Sequence, residues 1–241
     1  MPVTKARIER NLQRIREDIA GACRRVGRTP RDVSIVAVTK LVDMETVKNL
    51  LDAGLTELGE NRAQQLTERA AETGAYVRRR RSPLPSPVRW HMIGHLQRNK
   101  VRSVLECTEV IHSVDSLRLA EEIHNRAERL GRIVDVFLQV NCSQEEQKFG
   151  VAVGAAVHLA ELICTLGNVR LNGLMTMAPL ADDPERARPS FVRLRELFEE
   201  IRGERIGGEH FRHLSMGMSQ DYAVAVEEGA TILRIGTALF E

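Results

Sequence analysis

Residues 34 to 40 read SIVAVTK, and the fold is worked out from this run. It is β-branched, too short for a stable helix and bounded by polar residues, the pattern of a strand covered on both faces. On its N-terminal side Ile8, Leu12, Ile15, Ile19 and Cys23 recur at spacings of three and four. That spacing predicts a helix with one buried stripe, ending near Gly27 before Pro30. On its C-terminal side a helical pattern runs from Met44 to about Ala53. The alternation then repeats, with short apolar runs near 55–59, 88–94, 109–114, 133–140, 169–177, 211–215 and 231–239. Helical spacing separates them in NRAQQLTERAAE, LQRNKVRSVLE, SLRLAEEIHNRAERL, VGAAVHLAELICTLG, PERARPSFVRLRELFEEIR and SQDYAVAVEEG.

Eight strands alternating with helices imply a parallel sheet with right-handed crossovers. In a chain of 241 residues this predicts an α/β fold of one domain, a closed (β/α)8 TIM barrel with an extra N-terminal helix. The chain stops soon after the eighth strand, so the helix within residues 1–28 is expected to occupy the place of an eighth helix. The stretch YVRRRRSPLPSP, residues 76–87, reads as a solvated, extended loop, with an anionic docking site as its sharper alternative.

Composition narrows the function. Thirty-five Lys and Arg against thirty-three Asp and Glu leave a formal charge of +2, too balanced for a protein bound mainly to a phosphate backbone. A nucleic-acid reading therefore rests only on Arg78 to Arg81 and is the weakest. Cys23, Cys107, Cys142 and Cys164 are scattered, with no spacing that suggests a metal site, and read as reduced thiols of a cytoplasmic protein. No stretch approaches the roughly 18 consecutive apolar residues of a membrane span, and the N-terminus lacks a secretory pattern.

Active sites of such barrels lie where strands end and loops begin. Alternation puts Val36, Val38 and Lys40 on one face, so Lys40 crowns the first strand over the barrel mouth, partly desolvated and able to attack an aldehyde. Its plain alternative is a solvated charge. Near the other end, HLSMGMSQDY places Ser215, Gly217 and Ser219 before a helix, and ILRIGTALF adds Gly236 and Thr237. Small residues with free N–H groups at the seventh and eighth loops suit a phosphate. Arg234 interrupts an apolar strand and needs either an interior carboxylate or an acceptor on a ligand. Asn61, in LGENRAQQ, lines the same rim or caps the following helix. Together these describe a site for a phosphorylated aromatic aldehyde, which pyridoxal 5'-phosphate fits.

The motifs AVTK, LGEN, WHMIGHLQRNK, HSVDS, QVN with EEQKFG, GLMTMA, HLSMGMSQDY and LRIGTALF resemble those of the pyridoxal phosphate homeostasis family, from about residue 5 to the C-terminus. The resemblance implies the barrel of bacterial alanine racemase, with Lys40 in Schiff-base linkage to the cofactor. It further implies Ser215, Ser219, Gly236 and Thr237 around the phosphate, Arg234 facing the pyridine nitrogen and Asn61 lining the cofactor. The sequence departs from the family at Glu241, where it ends sooner than members commonly do.

An arginine can only donate, so the pyridine nitrogen should stay unprotonated and carbanions beside it should be poorly stabilised. A racemase would tolerate this but needs an acid/base on each face of its substrate. The only tyrosines are Tyr76 and Tyr222, and no second domain is expected to supply another. The sequence therefore reads as a monomeric, non-catalytic holder of the cofactor that releases it to apo-enzymes, with a small amino-acid racemase as the alternative. Lys148, after the fifth strand, reads as a surface charge or as a transient second amine during loading.

Overall fold

A computed structural model describes residues 2–143, 145, 147 and 149–241. Helix α1 (Lys5–Arg25) begins at the N-cap Thr4 and buries Ile8, Leu12, Ile15, Ile19, Ala22 and Cys23, the stripe that the spacing predicts. The strands are β1 (Ser34–Val38), β2 (Glu57–Glu60), β3 (Arg89–Met92), β4 (Val110–Val114), β5 (Val134–Asn141), β6 (Val151–Ala152), β7 (Val169–Met175), β8 (His213–Ser215) and β9 (Ile232–Ile235). All but β6 pair in parallel around a closed ring in chain order, and the ring shuts where Ser34 to Ala37 pair with Ile232 to Ile235. The other helices are α2 (Met44–Asp52), α3 (Ala63–Arg79), α4 (Val101–Leu105), α5 (Leu117–Arg129), α6 (Val153–Cys164), α7 (Arg188–Gly203), α8 (Tyr222–Glu227) and α9 (Thr237–Phe240). This is the eight-stranded TIM barrel the sequence predicts, with β6 a short addition to the edge of β5.

Alternation along the strands makes two layers. Outward residues such as Ala37, Leu58, Ile111, Val136, Leu174 and Leu233 pack against Leu50, Leu66, Ile123 and Phe191 of the helices. Each large side chain buried there contributes about 1.5–3 kcal/mol. The lumen holds a smaller apolar group of Val110, Phe137 and Met175, with Met177 and Ile232 beside it.

Helix α1 packs between α2 on one side and α8 and α9 on the other, between the first and last helices of the barrel, as the sequence predicts. It is tied there by polar contacts. Asn11 Nδ2 donates to the Leu239 carbonyl at 3.0 Å, and the Tyr222 hydroxyl donates to Asp18 at 2.6 Å.

Two expectations change. The eighth barrel strand, expected over 231–239, stops at Ile235; Gly236 leaves the ladder and residues Thr237–Phe240 form a helical turn. Its amides at Gly236 and Ala238 donate to Ser219 Oγ, which replaces the ladder bonds a longer strand would make. The expected loop 76–87 is shorter, because α3 runs on through Arg79. Tyr76 donates to Asp52 at 3.0 Å, Arg80 pairs with both, and Val77 packs on the core, so the added turn is anchored. All four cysteines are free thiols, and no helix among the described residues is long and apolar enough to cross a membrane.

Candidate functional site

Strands β9, β1 and β2 are neighbours, so the residues that follow them share one stretch of the barrel mouth. Val36 pairs in register with Arg234, and Val38 with Gly59. Partners in register face the same side of a sheet, and Val36 Cγ1 lies 2.8 Å from where a Cβ on Gly59 would stand. Ala37 turns to the outer core. The alternation expected for this strand is thus realised.

Lys40 is exposed, not partly desolvated, because it stands beyond the last paired residue of β1. Helix α3 holds its loop: Gln65 Nε2 donates to the Lys40 carbonyl at 3.1 Å, and Arg69 donates to the Val42 carbonyl. Beneath the loop lies Glu60, fully buried and absent from the predicted site. Its Oε1 accepts from Thr39 Oγ1 at 2.5 Å and sits 3.1 Å from Arg69 Nε, while Oε2 is buried with no hydrogen-bond partner among the described residues. Burial pushes the Glu60 carboxyl above its ordinary value, against the opposing pull of the Thr39 hydrogen bond, Arg69, the Asn61 amide and Lys40. The signal for Glu60 was available, since a charge inside a buried strand needs a partner as Arg234 does.

Asn61 is half-buried on the rim beside this carboxylate. The alternative role as a helix cap is not realised: Arg62 stands at the N-cap of α3, with no side-chain hydrogen bond there. The loop after β3 lies directly on Asn61, and only glycine permits the approach, because a Cβ on Gly94 would stand 2.2 Å from the Asn61 carbonyl oxygen.

On the opposite side of β1, the turn after β8 passes through Gly217 at φ +94°, where a Cβ would stand 2.6 Å from that of Ala225. This turn carries Ser219 back to α9, where its Oγ accepts from the Gly236 and Ala238 amides at 3.1 and 3.2 Å. Thr237 between them is exposed, and its amide and hydroxyl meet no partner among the described residues.

Arg234 is 4% exposed. Its Nη1 donates to Ser215 Oγ at 2.7 Å and its Nη2 to the Thr176 carbonyl at 2.8 Å. Among the described residues no carboxylate lies within ion-pair distance of it, so the structural ion pair considered for it is not formed. Burial pushes its pKa down to about 10, with the more distant Asp221 opposing, which leaves a cation at neutral pH. Ser215 is fully buried inside the barrel, not on the rim with Ser219, and also meets His112 Nδ1 at 2.8 Å. His112 Nε2 lies 2.9 Å from His91 Nδ1, and His91 Nε2 lies 2.6 Å from Glu57 Oε2. The sequence reading missed this chain, although each member breaks an apolar run.

Lys148 lies outside the described residues. Arg78 and Arg79 end α3 and Arg81 follows, all exposed, while Arg80 is tied to Asp52; this run lies at the end of the barrel away from the mouth.

Residues 3–241 match the family described as alanine racemase, N-terminal domain. The chain is 39% identical over 229 residues to the pyridoxal phosphate homeostasis protein of Aquifex aeolicus (strain VF5), covering 95% of each. It is 32% identical to that of Escherichia coli (strain K12), covering 97% of this chain and 95% of the relative. The structure of PipY from Synechococcus elongatus PCC7942 with PLP bound superposes with a TM-score of 0.81 at 30% identity, over 97% of this chain and 100% of the other. Alanine racemase from Clostridium difficile 630 shares the fold at a TM-score of 0.73 and 15% identity, over 99% of this chain and 57% of the other.

Proposed function

The chain belongs to the pyridoxal phosphate homeostasis family, and from that premise we propose that it binds pyridoxal 5'-phosphate on Lys40 and acts in vitamin B6 homeostasis without catalytic turnover. The observation that carries the reading is Arg234, a buried cation held by a hydroxyl and a carbonyl with no carboxylate beside it among the described residues. Such a group suits an acceptor atom of a ligand. The amide and hydroxyl of Thr237, which meet no partner among the described residues, lie next to the Ser219–Gly236 contact and suit a phosphoryl group. Asn61 lines the rim on the other side of β1, and Ser215 holds Arg234 from below instead of touching the phosphoryl.

When bound, the cofactor supplies an aldehyde that condenses with a primary amine. Lys40 presents that amine at the end of β1, and Glu60 near it has a buried carboxyl oxygen with no hydrogen-bond partner among the described residues. Arg234 stays protonated at neutral pH and can only donate, so it keeps a facing ring nitrogen deprotonated and weakens the ring as an electron sink. Tyr222 is committed to Asp18 of α1, and Tyr76 to Asp52 on the outer surface, so neither is placed to act as an opposing acid or base. These commitments favour a holder over a racemase. We assign release to apo-enzymes to the same site, in a cytoplasmic, monomeric, single-domain protein.

Protein loaded with pyridoxal 5'-phosphate is expected to be yellow, and borohydride to fix the added mass on the peptide carrying Lys40. Lys40→Ala is expected to abolish both with the fold intact, since the residue is exposed. A wild-type protein that takes up no chromophore overturns the reading. Solvent deuterium appearing at the α-carbon of any amino acid would make the protein a racemase instead.

A further inference from the structure

Five polar side chains cross the barrel lumen in one unbroken series. Glu57 on β2, His91 on β3, His112 on β4, Ser215 on β8 and Arg234 on β9 are linked at 2.6, 2.9, 2.8 and 2.7 Å. His91, His112, Ser215 and Arg234 are all nearly or fully buried, and Glu57 is half-exposed at the far mouth, where Arg89 stands 3.6 Å away. We propose that Glu57, His91 and His112 are positioning residues that, through Ser215, fix the direction in which Arg234 presents its donors to the cofactor ring. This rests on the proposed cofactor.

The polarity of the series follows from its ends. Arg234 has only donors, so Ser215 Oγ must accept from it. An ionised Glu57 has only acceptors, so His91 must carry its proton on Nε2. Burial works against the charge on Glu57, but the His91 hydrogen bond and Arg89 hold its carboxyl below the usual range. A neutral His91 then accepts at Nδ1, which requires His112 to donate from Nε2 and accept at Nδ1, which in turn takes the Ser215 hydrogen. Each of the four links then has one donor and one acceptor. Burial, the largest cause, with the Arg234 charge adding to it, holds His112 well below the ordinary imidazole value, in keeping with a neutral ring. Phe137 stacks on that ring at 4.5 Å and 15° and fixes its plane.

The opposite polarity needs His91 as a cation donating to both neighbours. His112 would then donate to Ser215, whose own hydrogen would lack an acceptor in a fully buried site. Among the described contacts Ser215 Oγ meets only His112 and Arg234. A buried donor without an acceptor is disfavoured, so one direction is selected from Arg234 to Glu57.

The test has two arms. In the cofactor-free protein, ¹⁵N NMR of the histidine rings is expected to show His91 and His112 both neutral and protonated at Nε2. A cationic His91, or His112 protonated at Nδ1, overturns the proposal. In the loaded protein, His91→Leu is expected to shift the absorption maximum and weaken cofactor retention about tenfold, the scale of one hydrogen bond. His91→Gln, whose amide both donates and accepts, is expected to recover part of both. Should His91→Leu fail to fold, Glu57→Leu at the half-exposed end reads the same two quantities. A folded break variant with unchanged spectrum and retention refutes the positioning role while leaving cofactor binding in place. A wild-type protein that binds no cofactor refutes the carrier reading and the orientation claim together, and the NMR arm still decides the polarity.

Discussion

On the outer face of the barrel strands, Ala37, Leu58, Val136 and Leu174 meet helix side chains such as Leu50 and Phe191, and every one of them is apolar. On the lumen face of neighbouring positions, Glu57, His91, His112, Ser215 and Arg234 meet one another through hydrogen bonds of 2.6 to 2.9 Å. The outer face is held by area removed from water, which is undirected and tolerates any shape that fits. Beside the apolar group of Val110, Phe137 and Met175, the polar part of the lumen is held by donors and acceptors that must match, because an unmatched polar group there is costly. Undirected burial and directed hydrogen bonding are thereby separated onto the two faces of one sheet.

This separation can be broken by experiment. The largest effect is expected from the outer face: Phe191→Ala leaves a void between α7 and the strands and should cost about 3–5 kcal/mol in denaturant unfolding. The fraction still folded should retain cofactor as the wild type does; weakened retention in folded protein would show that the two faces are coupled.

Arg234→Met reverses the pattern. It removes a buried cation that no carboxylate among the described residues pairs with directly, so the melting temperature of the cofactor-free protein should hold or rise while retention falls at least about tenfold. A fall in melting temperature with unchanged retention would place Arg234 in the structural layer.

The smallest effect is in acid. Because His112 titrates below the ordinary imidazole value of 6.5, the stability it contributes is complete above that pH and is lost as pH falls toward its folded value. The loss is no steeper than about 1.4 kcal/mol per pH unit for this one proton. His112→Phe should flatten this part of the stability–pH curve, with His213, also held low by burial, supplying what remains. An unchanged curve would mean that His112 is not titrating against the fold.

The outer layer was legible in the sequence because its signals are periodic. The stripe from Ile8 to Cys23 and the run SIVAVT each repeat a spacing that one segment displays by itself. Lys40, Asn61 and Arg234 were legible as exceptions to those repeats. Glu60, the neighbour of Asn61, is a charge in a buried strand in the same way and lies between Thr39 and Arg69 of α3. The end of the eighth barrel strand was misplaced because Ser219, 17 residues upstream of Gly236, supplies the acceptor that turns the chain into α9. The length of α3 depended similarly on Asp52 in another helix.

From its amino acids alone the chain determines that eight strands alternate with helices, that one lysine ends the first strand and that one arginine interrupts the last. Hydrophobic period is a local property, so no partner is needed to read it. Which lumen side chains face each other is decided only when the ring closes at β1 and β9. Hydrogen-bond polarity belongs to the whole series of groups and to none of them singly, so the link between Arg234 and Glu57, on strands far apart in the chain, exists only in the folded barrel.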